Sequence, residues 1–257
     1  MFWTEAQQVA QQALKTKALL PIGTEPQIIN QHGIDFFIHL KSVNNAQAKF
    51  APKPSGFNPF LPYEQSMYVA DAGHEHVCLL NKFPVLSPHL LICSKQFVQQ
   101  TQPLTVSDFA AWILGFESDN DLGFYNGGTI AGASQPHRHM QLIKTQLPTE
   151  PAIVKAQLPF VHQLYRYQSL DPQQLWHDYN HGMDKLHCAD TSQCKPYNLL
   201  LTKRWMLIIP RSRNNVEGIF ANGINYSGHF LIAKPEQIIW LKQYGFMAFL
   251  AQCSQPI

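Results

Sequence analysis

The sequence predicts an α+β protein in which antiparallel strand pairs are flanked by separate helices. Two pairs of aliphatic runs, within residues 76–93 and 197–211, are each interrupted by a short turn, as in strands that pair with their neighbours. Other stretches, such as residues 105–117, repeat apolar residues at the spacing of a helix. With 257 residues, of which 45% are hydrophobic and 12% aromatic, the chain is long and apolar enough for a large buried core.

The N-terminal part of the chain predicts one helix, one strand pair and one rigid loop. Residues 5–19 carry Ala, Gln, Leu and Lys at helical spacing. Residues 27–40 form a strand pair that is interrupted near Gly33. The segment 51–62 contains four prolines in twelve residues, which favours a stiff, extended loop able to hold a side chain such as Lys53 in place.

The middle of the chain predicts strands on either side of a capped helix. Residues 76–84 and 89–93 read as two buried strands joined by a turn that contains proline. A strand also begins at residues 122–126, and a further strand that contains two histidines follows a glycine-rich loop. Thr105 is suited to cap the helix over 105–117, whose apolar face would hold Phe109, Trp112, Ile113 and Phe116.

The C-terminal part predicts a polar connection, a strand pair and a closing helix. Residues 145–196 are polar and contain prolines, which indicates a segment between two halves, with a helix at 153–168. The strand pair at 197–211 repeats the order of the pair at 78–95: an aliphatic run, a Thr-Lys or Asn-Lys turn, and a second aliphatic run. This echo indicates two related halves, although ordinary hairpin composition would give a similar match. A helix over residues 235–250 closes the chain.

Charge and cysteine usage exclude several classes of protein. A formal net charge of +2, with 14% charged residues, leaves no broad basic surface for nucleic acid, so we expect small anions in a local pocket. The five cysteines are odd in number and form no C-x-x-C pair, which favours reduced thiols and argues against a structural zinc site. Because the sequence shows neither a signal-peptide pattern nor an apolar run of about twenty residues, we expect a soluble, cytoplasmic protein without membrane association.

The most informative segment joins a glycine-rich run, residues 126–133, to the sequence H-R-H-M-Q at 137–141. Because successive side chains of a strand point to opposite faces, His137, His139 and Gln141 would share one face. The glycines allow backbone N–H groups to approach an anion closely, as phosphate recognition requires. The first hypothesis is therefore a histidine nucleophile beside a phosphate-binding loop.

Two other interpretations of these histidines stay open. In a chain with twelve histidines, two at this spacing could be ordinary core or surface residues. A zinc site is the second, but Gln141 is a poor third ligand and no Cys, Asp or Glu lies nearby in the sequence. Of the other histidines, we expect His89 to be structural and expect His74 and His76 to lie on the surface.

Taken together, these segments resemble the ATP adenylyltransferases, also called diadenosine tetraphosphate phosphorylases, a branch of the histidine triad superfamily related to galactose-1-phosphate uridylyltransferase. The resemblance covers most of the chain, and its most specific part is the string G-A-S-Q-P-H-x-H-x-Q at 132–141. It also includes N-P-F-L-P at 58–62 and L-N-K-F-P at 80–84. The resemblance implies a histidine-triad-like antiparallel sheet, with a catalytic half at 1–165, a C-terminal ATP adenylyltransferase half at 190–257 and a connecting segment at 166–189.

The resemblance also implies a role for each polar residue of the motif. His139 would attack the α-phosphorus of a nucleotide and carry AMP, because neutral imidazole is nucleophilic near pH 7 and then leaves phosphorus readily. His137 would orient the strand and ring, and Gln141 would hydrogen-bond the phosphoryl oxygens. Because glutamine does not titrate, Gln141 favours transfer to phosphate over hydrolysis, for which relatives place a third histidine there. The implied substrate-binding residues are Lys53, Asn81, Lys82, Asn126, Gly132, Ala133, Ser134, Gln135, Gln141, Asn222, Gly223, Ile224 and His229.

The function implied by the resemblance is nucleotidyl transfer, in which AppppA and inorganic phosphate give ATP and ADP reversibly through an adenylyl-histidine. One alternative is a uridylyltransferase acting on sugar phosphates, which Arg138 disfavours because those enzymes have proline there. A hydrolase of dinucleoside polyphosphates and a nucleotide-binding sensor that does not need His139 are the others. We expect no metal site and no tightly bound cofactor, with a divalent cation such as Mg²⁺ accompanying the nucleotide. We also expect a monomer whose two halves mimic a dimer.

Overall fold

A computed structural model describes residues 2–42 and 56–257 of the chain. The fold is α+β, as the sequence predicts, with a sheet of eight strands, a sheet of three and a short two-stranded ribbon. The helices are α1 (Phe2–Lys15), α2 (Val106–Ile113), α3 (Glu150–Val154), α4 (Pro172–Lys185), α5 (Pro235–Tyr244) and α6 (Phe246–Cys253). The strands are β1 (Thr24–Gln31), β2 (Ile34–Lys41), β3 (Tyr68–Ala72), β4 (His76–Leu80), β5 (His89–Ser94), β6 (Asp121–Gly127), β7 (His139–Lys144), β8 (Gln163–Arg166), β9 (Tyr197–Leu201), β10 (Trp205–Pro210), β11 (Asn215–Val216), β12 (Ile219–Phe220) and β13 (His229–Ile232).

The eight-stranded sheet is antiparallel throughout, in the order β3-β4-β5-β7-β6-β9-β10-β8. The predicted strand pairs at 76–93 and 197–211 are confirmed as β4–β5 and β9–β10. In the smaller sheet β1 and β2 form a hairpin whose two turn residues, His32 and Gly33, both have positive φ, as a tight hairpin turn requires. β13 then pairs with β2 in parallel.

Each face of the large sheet is covered by a separate apolar cluster. The first cluster lies under α1, α2 and α4 and includes Met140 and Leu142 from β7. The second packs the other face against the smaller sheet, α5 and α6, and includes Ile143. Since side chains alternate along a strand, His139 and Gln141 point to the same side as Ile143. The sheet therefore presents two of the predicted catalytic residues, His139 and Gln141, on the face opposite α1, α2 and α4.

The structure corrects the predicted helix at 153–168. Helix α3 ends at Val154, and residues 163–166 form strand β8 at the edge of the large sheet. The helix of this region comes later: Asp171 caps α4, and Leu175, Tyr179 and Met183 repeat at four-residue spacing on its buried side. The sequence analysis missed this helix because polar residues surround the buried stripe.

Among the described helices, none combines the length and the apolar character that spanning a membrane requires.

The predicted C-terminal helix over 235–250 is two helices. Gly245, with a φ of +103°, lies between α5 and α6, and its N–H caps the Leu241 carbonyl. This conformation is one that residues other than glycine rarely adopt, so the helix breaks there. The division of the chain at 166–189 stays a prediction, and strands from both sides of that segment join the same sheet.

Candidate active site

A cavity of about 610 Å³ opens on the face of the large sheet that carries His139 and Gln141. Its volume is within the usual range for small-molecule sites. One wall is apolar and aromatic, and it includes Phe60, Tyr63 and Leu91. The predicted substrate-binding residues that line the cavity are Asn81, Lys82, Asn126, Gly132, Ser134, Gln135, Gln141, Asn222, Ile224 and His229.

Three further residues predicted to bind substrate are not among the described residues that line the cavity. Ala133 is buried and is not among the residues that line the cavity. Gly223 does not line it either, but its backbone N–H donates to Oδ1 of Asn126 at 2.8 Å. Lys53 lies outside the described residues. The prediction of Lys53 as a polyphosphate contact therefore stays a prediction.

His139 is the first residue of β7 and is 4% exposed. Its Nδ1 lies 2.8 Å from the carbonyl oxygen of His137, which can only accept, so Nδ1 carries the proton. Nε2 then keeps its lone pair and makes no hydrogen bond within residues 2–42 and 56–257. Burial lowers the pKa of His139 to about 4, so the ring is neutral at pH 7. The structure thus holds this imidazole in the nucleophilic tautomer.

Gln100 holds the backbone of His139. Strands β6 and β7 pair only as far as Phe124 and Gln141, and the side chain of Gln100 fills the gap beyond. Its Oε1 accepts from the His139 N–H at 2.8 Å, and its Nε2 lies 3.2 Å from the His139 carbonyl and 3.0 Å from the Asn126 carbonyl. One buried amide therefore replaces the missing strand contacts beside the candidate nucleophile.

His137 lies just before β7, fully buried, and does not line the cavity. Its Nε2 lies 2.8 Å from the Ser94 carbonyl and donates to it, while Nδ1 accepts from the Asn58 amide at 2.9 Å. Burial lowers the pKa of His137. With both ring nitrogens engaged and its carbonyl fixing the His139 tautomer, His137 is placed to orient the neighbouring ring.

Arg138, between the two histidines, anchors the segment from the opposite face of the sheet. Its guanidinium donates to Oδ2 of Asp108 at 2.8 Å and to the carbonyls of Gln102 and Pro103 at 2.7 and 2.9 Å. Oδ1 of Asp108 accepts from His76 at 2.8 Å. Burial raises the pKa of Asp108, but His76 and Arg138 outweigh it, so the pKa lies below its ordinary value.

The expectation that His76 lies on the surface is wrong, because this residue is 3% exposed. His74 is exposed, as expected. The difference arises because β4 begins at His76 and turns its ring toward the buried carboxylate of Asp108 on α2. A partner 32 residues away leaves no local signal in the sequence.

Gln141 is held by His89, a residue expected to be only structural. His89 lines the cavity, and its Nε2 donates to Oε1 of Gln141 at 3.0 Å, while its Nδ1 accepts from the Asn81 amide at 3.1 Å. With its oxygen engaged in this way, Gln141 has its NH₂ group available to donate to phosphoryl oxygens. His89 and Asn81 therefore orient Gln141 as a hydrogen-bond donor.

The glycine-rich loop packs directly against the C-terminal part of the chain. Gly132 has a φ of +93°, and a Cβ atom there would lie 2.5 Å from Cβ of Asn222. Oδ1 of Asn126 accepts from Asn198 at 2.8 Å as well as from Gly223. Arg211, 3% exposed, donates in turn to Oδ1 of Asn198. Sequence reasoning did not single out Asn198 and Arg211 as site residues, and they tie the loop to β9 and β10.

No group of three or more His, Cys, Asp or Glu side chains in the described part of the chain is arranged to hold a metal ion. All five cysteines are buried and unpaired with one another. Among the described residues, the cavity is lined by amides, hydroxyls and Lys82, together with the Glu64 carboxylate and three histidines besides His139. The amides, the hydroxyls and the lysine can bind phosphate and nucleoside oxygens by hydrogen bonds and charge.

A neutral imidazole in the wall of a cavity lined by amides is an arrangement suited to nucleotidyl transfer. The chain belongs to the Ap4A phosphorylase family: the family model for the Ap4A phosphorylase N-terminal domain matches residues 1–164, more than half of the chain. The model for the ATP adenylyltransferase C-terminal domain matches residues 156–256.

Two curated relatives and two solved structures are similar to the whole or most of the chain. The chain is 26% identical to diadenosine tetraphosphate phosphorylase 2 of Saccharomyces cerevisiae over 90% of this chain and 86% of the relative. It is 28% identical to protein APA1 of the same yeast over 71% of each. The crystal structures of yeast Ap4A phosphorylase Apa2 with AMP and with Ap4A, each 22% identical, match with TM-scores of 0.83 and 0.81. They cover 99% of this chain and 96% and 97% of theirs, which shows that the fold is shared.

Proposed function

We propose that the protein catalyses the phosphorolysis of AppppA to ATP and ADP through an adenylyl group carried on His139. The observation that carries this proposal is the 2.8 Å contact between Nδ1 of His139 and the His137 carbonyl, which leaves Nε2 as a lone pair in the cavity wall. The activity in the name of the yeast relative agrees with it.

The reaction is two displacements at the same phosphorus. Nε2 of His139 attacks the α-phosphorus, the bond to the bridging oxygen breaks, and ATP leaves with both bonding electrons. Inorganic phosphate then attacks the adenylyl phosphorus, the P–N bond breaks, and ADP leaves with neutral His139 restored. The Nδ1-protonated imidazole suits both steps: it attacks through the Nε2 lone pair, the ring carries a positive charge in the adenylyl adduct, and it departs as neutral imidazole without needing a second base.

Charge that develops on the phosphoryl oxygens would be met by donors around His139. Gln141, Gly132, Ser134, Gln135 and Lys82 all line the cavity. Lys82 is held by Glu64 at 2.5 Å, on the surface side of the site. Such fixed donors stabilise a phosphoryl transition state more than the ground state when they are aimed at the developing charge.

The adenosine of the transferred AMP would lie on the apolar wall. Phe60 has its ring centroid 5.3 Å from that of His139 and packs with Leu79 and Leu91 in a small cluster. This is the aromatic and aliphatic surface next to the nucleophile, and a purine ring buries well against it.

We also propose that no cofactor is tightly bound, that Mg²⁺ enters with the nucleotide, and that the monomer acts in the cytoplasm. Five buried thiols support a reducing compartment.

The test is to incubate the protein with AppppA in the presence and absence of inorganic phosphate and to separate the products. Phosphorolysis gives equal amounts of ATP and ADP, and only when phosphate is present. Release of AMP and ATP without phosphate would replace this proposal with hydrolysis. Tight binding of AppppA without any turnover would indicate a nucleotide-binding sensor. Transfer to a sugar phosphate in place of inorganic phosphate would indicate the uridylyltransferase-like alternative.

A further inference from the structure

A pair of buried histidines lies in the cavity wall away from His139 and has no part in the steps above. His39, on β2, and His229, at the start of β13, are 190 residues apart in sequence. Their rings are within 14° of parallel, and Nε2 of His39 lies 3.4 Å from Nδ1 of His229. Phe37 also stacks on the His229 ring, with the two ring centroids 5.0 Å apart. Both histidines line the cavity.

The hydrogen bonds fix the tautomer of both rings. Nε2 of His229 lies 2.9 Å from the carbonyl oxygen of Gln146. Because a carbonyl oxygen only accepts hydrogen bonds, Nε2 carries the proton and Nδ1 keeps an unprotonated lone pair. His39 must then donate from Nε2 to that lone pair, which leaves Nδ1 of His39 as a second lone pair. Within residues 2–42 and 56–257, Nδ1 of His39 has no hydrogen-bond partner. Burial lowers the pKa of His39, and that of His229 to about 4, which keeps both rings neutral.

The pair marks the far end of the cavity along β7. His139, Gln141 and Ile143 line it in succession, and the next residue of that alternation, Thr145, lies 3.0 Å from Nε2 of His229. Six residues of extended chain span about 20 Å. A ligand whose α-phosphorus lies at His139 and whose adenosine lies on the Phe60 wall would extend its remaining phosphates toward this end.

We propose that His39 is a specificity residue for the second nucleoside of a dinucleoside polyphosphate, accepting a hydrogen bond from a ribose hydroxyl or an exocyclic amine. This inference rests on the proposed function, since it assumes that the first phosphate lies at His139. The chemistry of His39 selects the ligand group. A neutral imidazole lone pair is repelled by phosphate oxygens, which only accept, and attracts O–H and N–H groups, which a nucleoside supplies and a terminal phosphate does not.

The test compares AppppA with adenosine 5′-tetraphosphate, which has the same four phosphates but no second nucleoside. Dissociation constants are measured by titration calorimetry in a His139→Asn background, so that neither ligand is consumed. His39→Phe keeps a flat ring and removes the acceptor. His39→Asn places an amide oxygen at the same number of bonds from the backbone as Nδ1 and restores an acceptor. Binding of adenosine tetraphosphate reports that each variant is folded.

We expect His39→Phe to weaken AppppA binding about threefold to tenfold, the effect of one lost hydrogen bond, and to leave adenosine tetraphosphate binding unchanged. We expect His39→Asn to recover most of the loss. Equal loss for both ligands, or no loss for either, would overturn the inference while leaving the proposed function intact. A wild-type protein that forms no ATP and ADP from AppppA and phosphate would instead overturn the proposed function, so the two failures are distinguishable.

Discussion

The hydrogen bonds of Gln100 lead to a sharp prediction, because one buried side chain replaces a stretch of sheet beside His139. Glutamate at this position has almost the same size and shape and keeps an acceptor for the His139 N–H. It loses the NH₂ group that faces the carbonyls of Asn126 and His139 at 3.0 and 3.2 Å. We therefore expect Gln100→Glu to lower both the stability of the fold and the rate of the reaction.

The magnitude follows from two carbonyls that each lose a donor, of which the Asn126 carbonyl keeps the Gly128 N–H at 2.9 Å. Each lost net hydrogen bond costs about 1 kcal/mol, and a buried group left unsatisfied costs about 1–3 kcal/mol. Gln100 is 2% exposed, so water does not replace the missing donor. The expected loss in the free energy of unfolding is about 2–4 kcal/mol. Since a shift of about 1 Å in a reacting group costs about a hundredfold in rate, we expect kcat to fall by about that factor, with KM changed much less.

Urea unfolding and steady-state phosphorolysis of AppppA measure the two effects. The matched control is Gln99→Glu, the same change at the preceding, exposed position, which should leave both unchanged. Burial raises the pKa of a carboxyl group, and its protonated form regains one donor, so part of the activity of Gln100→Glu should return as the pH is lowered. Wild-type stability and kcat in Gln100→Glu would refute the reasoning.

Three further predictions concern the surroundings of the site. Asp108→Asn should lower the free energy of unfolding by about 3–5 kcal/mol, because Arg138 would remain as a buried, unpaired charge. The control is Asp119→Asn, the same change at an exposed position. Equal urea midpoints for Asp108→Asn and the wild type would contradict this prediction. Gly132→Ala should weaken nucleotide binding measured by calorimetry, because the new Cβ would lie 2.5 Å from Cβ of Asn222. The control is Gly73→Ala: Gly73 also has a positive φ, but a Cβ there would meet no atom within 4 Å, so nucleotide binding should not change. Stability should rise with pH between about 4 and 6.5, because unfolded histidine binds a proton there and folded His139 and His229 do not. Each of these two residues adds at most about 1.4 kcal/mol per pH unit to the slope, and His139→Gln should remove the contribution of His139 in urea titrations.

Two of the strand pairs were predictable because their signals are local. Aliphatic runs separated by short turns predicted the β4–β5 and β9–β10 pairs. Thr105 predicted the start of α2, where it forms a capping box with Asp108. The alternation of side chains along the strand after the glycine-rich loop predicted that His139 and Gln141 share one face, and both line the cavity. These features depend on neighbours within a few residues.

The parts that the sequence did not reveal depend on distant partners. The His139 backbone is held by Gln100, 39 residues away, and His39 meets His229 across 190 residues. Neither contact has a periodic pattern or a spacing that sequence reasoning could use. The helix α4 was missed for a different reason, because its buried stripe is surrounded by polar residues that look like a loop.

The central claim is that His139 carries the adenylyl group, and trapping that adduct tests it most directly. The protein is incubated with AppppA labelled in adenosine, without phosphate, quenched in base to protect the P–N bond, digested and mapped by mass spectrometry. We predict one AMP on His139, absent in His139→Asn, retained in the control His74→Ala, and converted to ADP when phosphate is added before quenching. An adduct on another residue, or formation of ATP and ADP by the His139→Asn variant at the wild-type rate, would contradict the account.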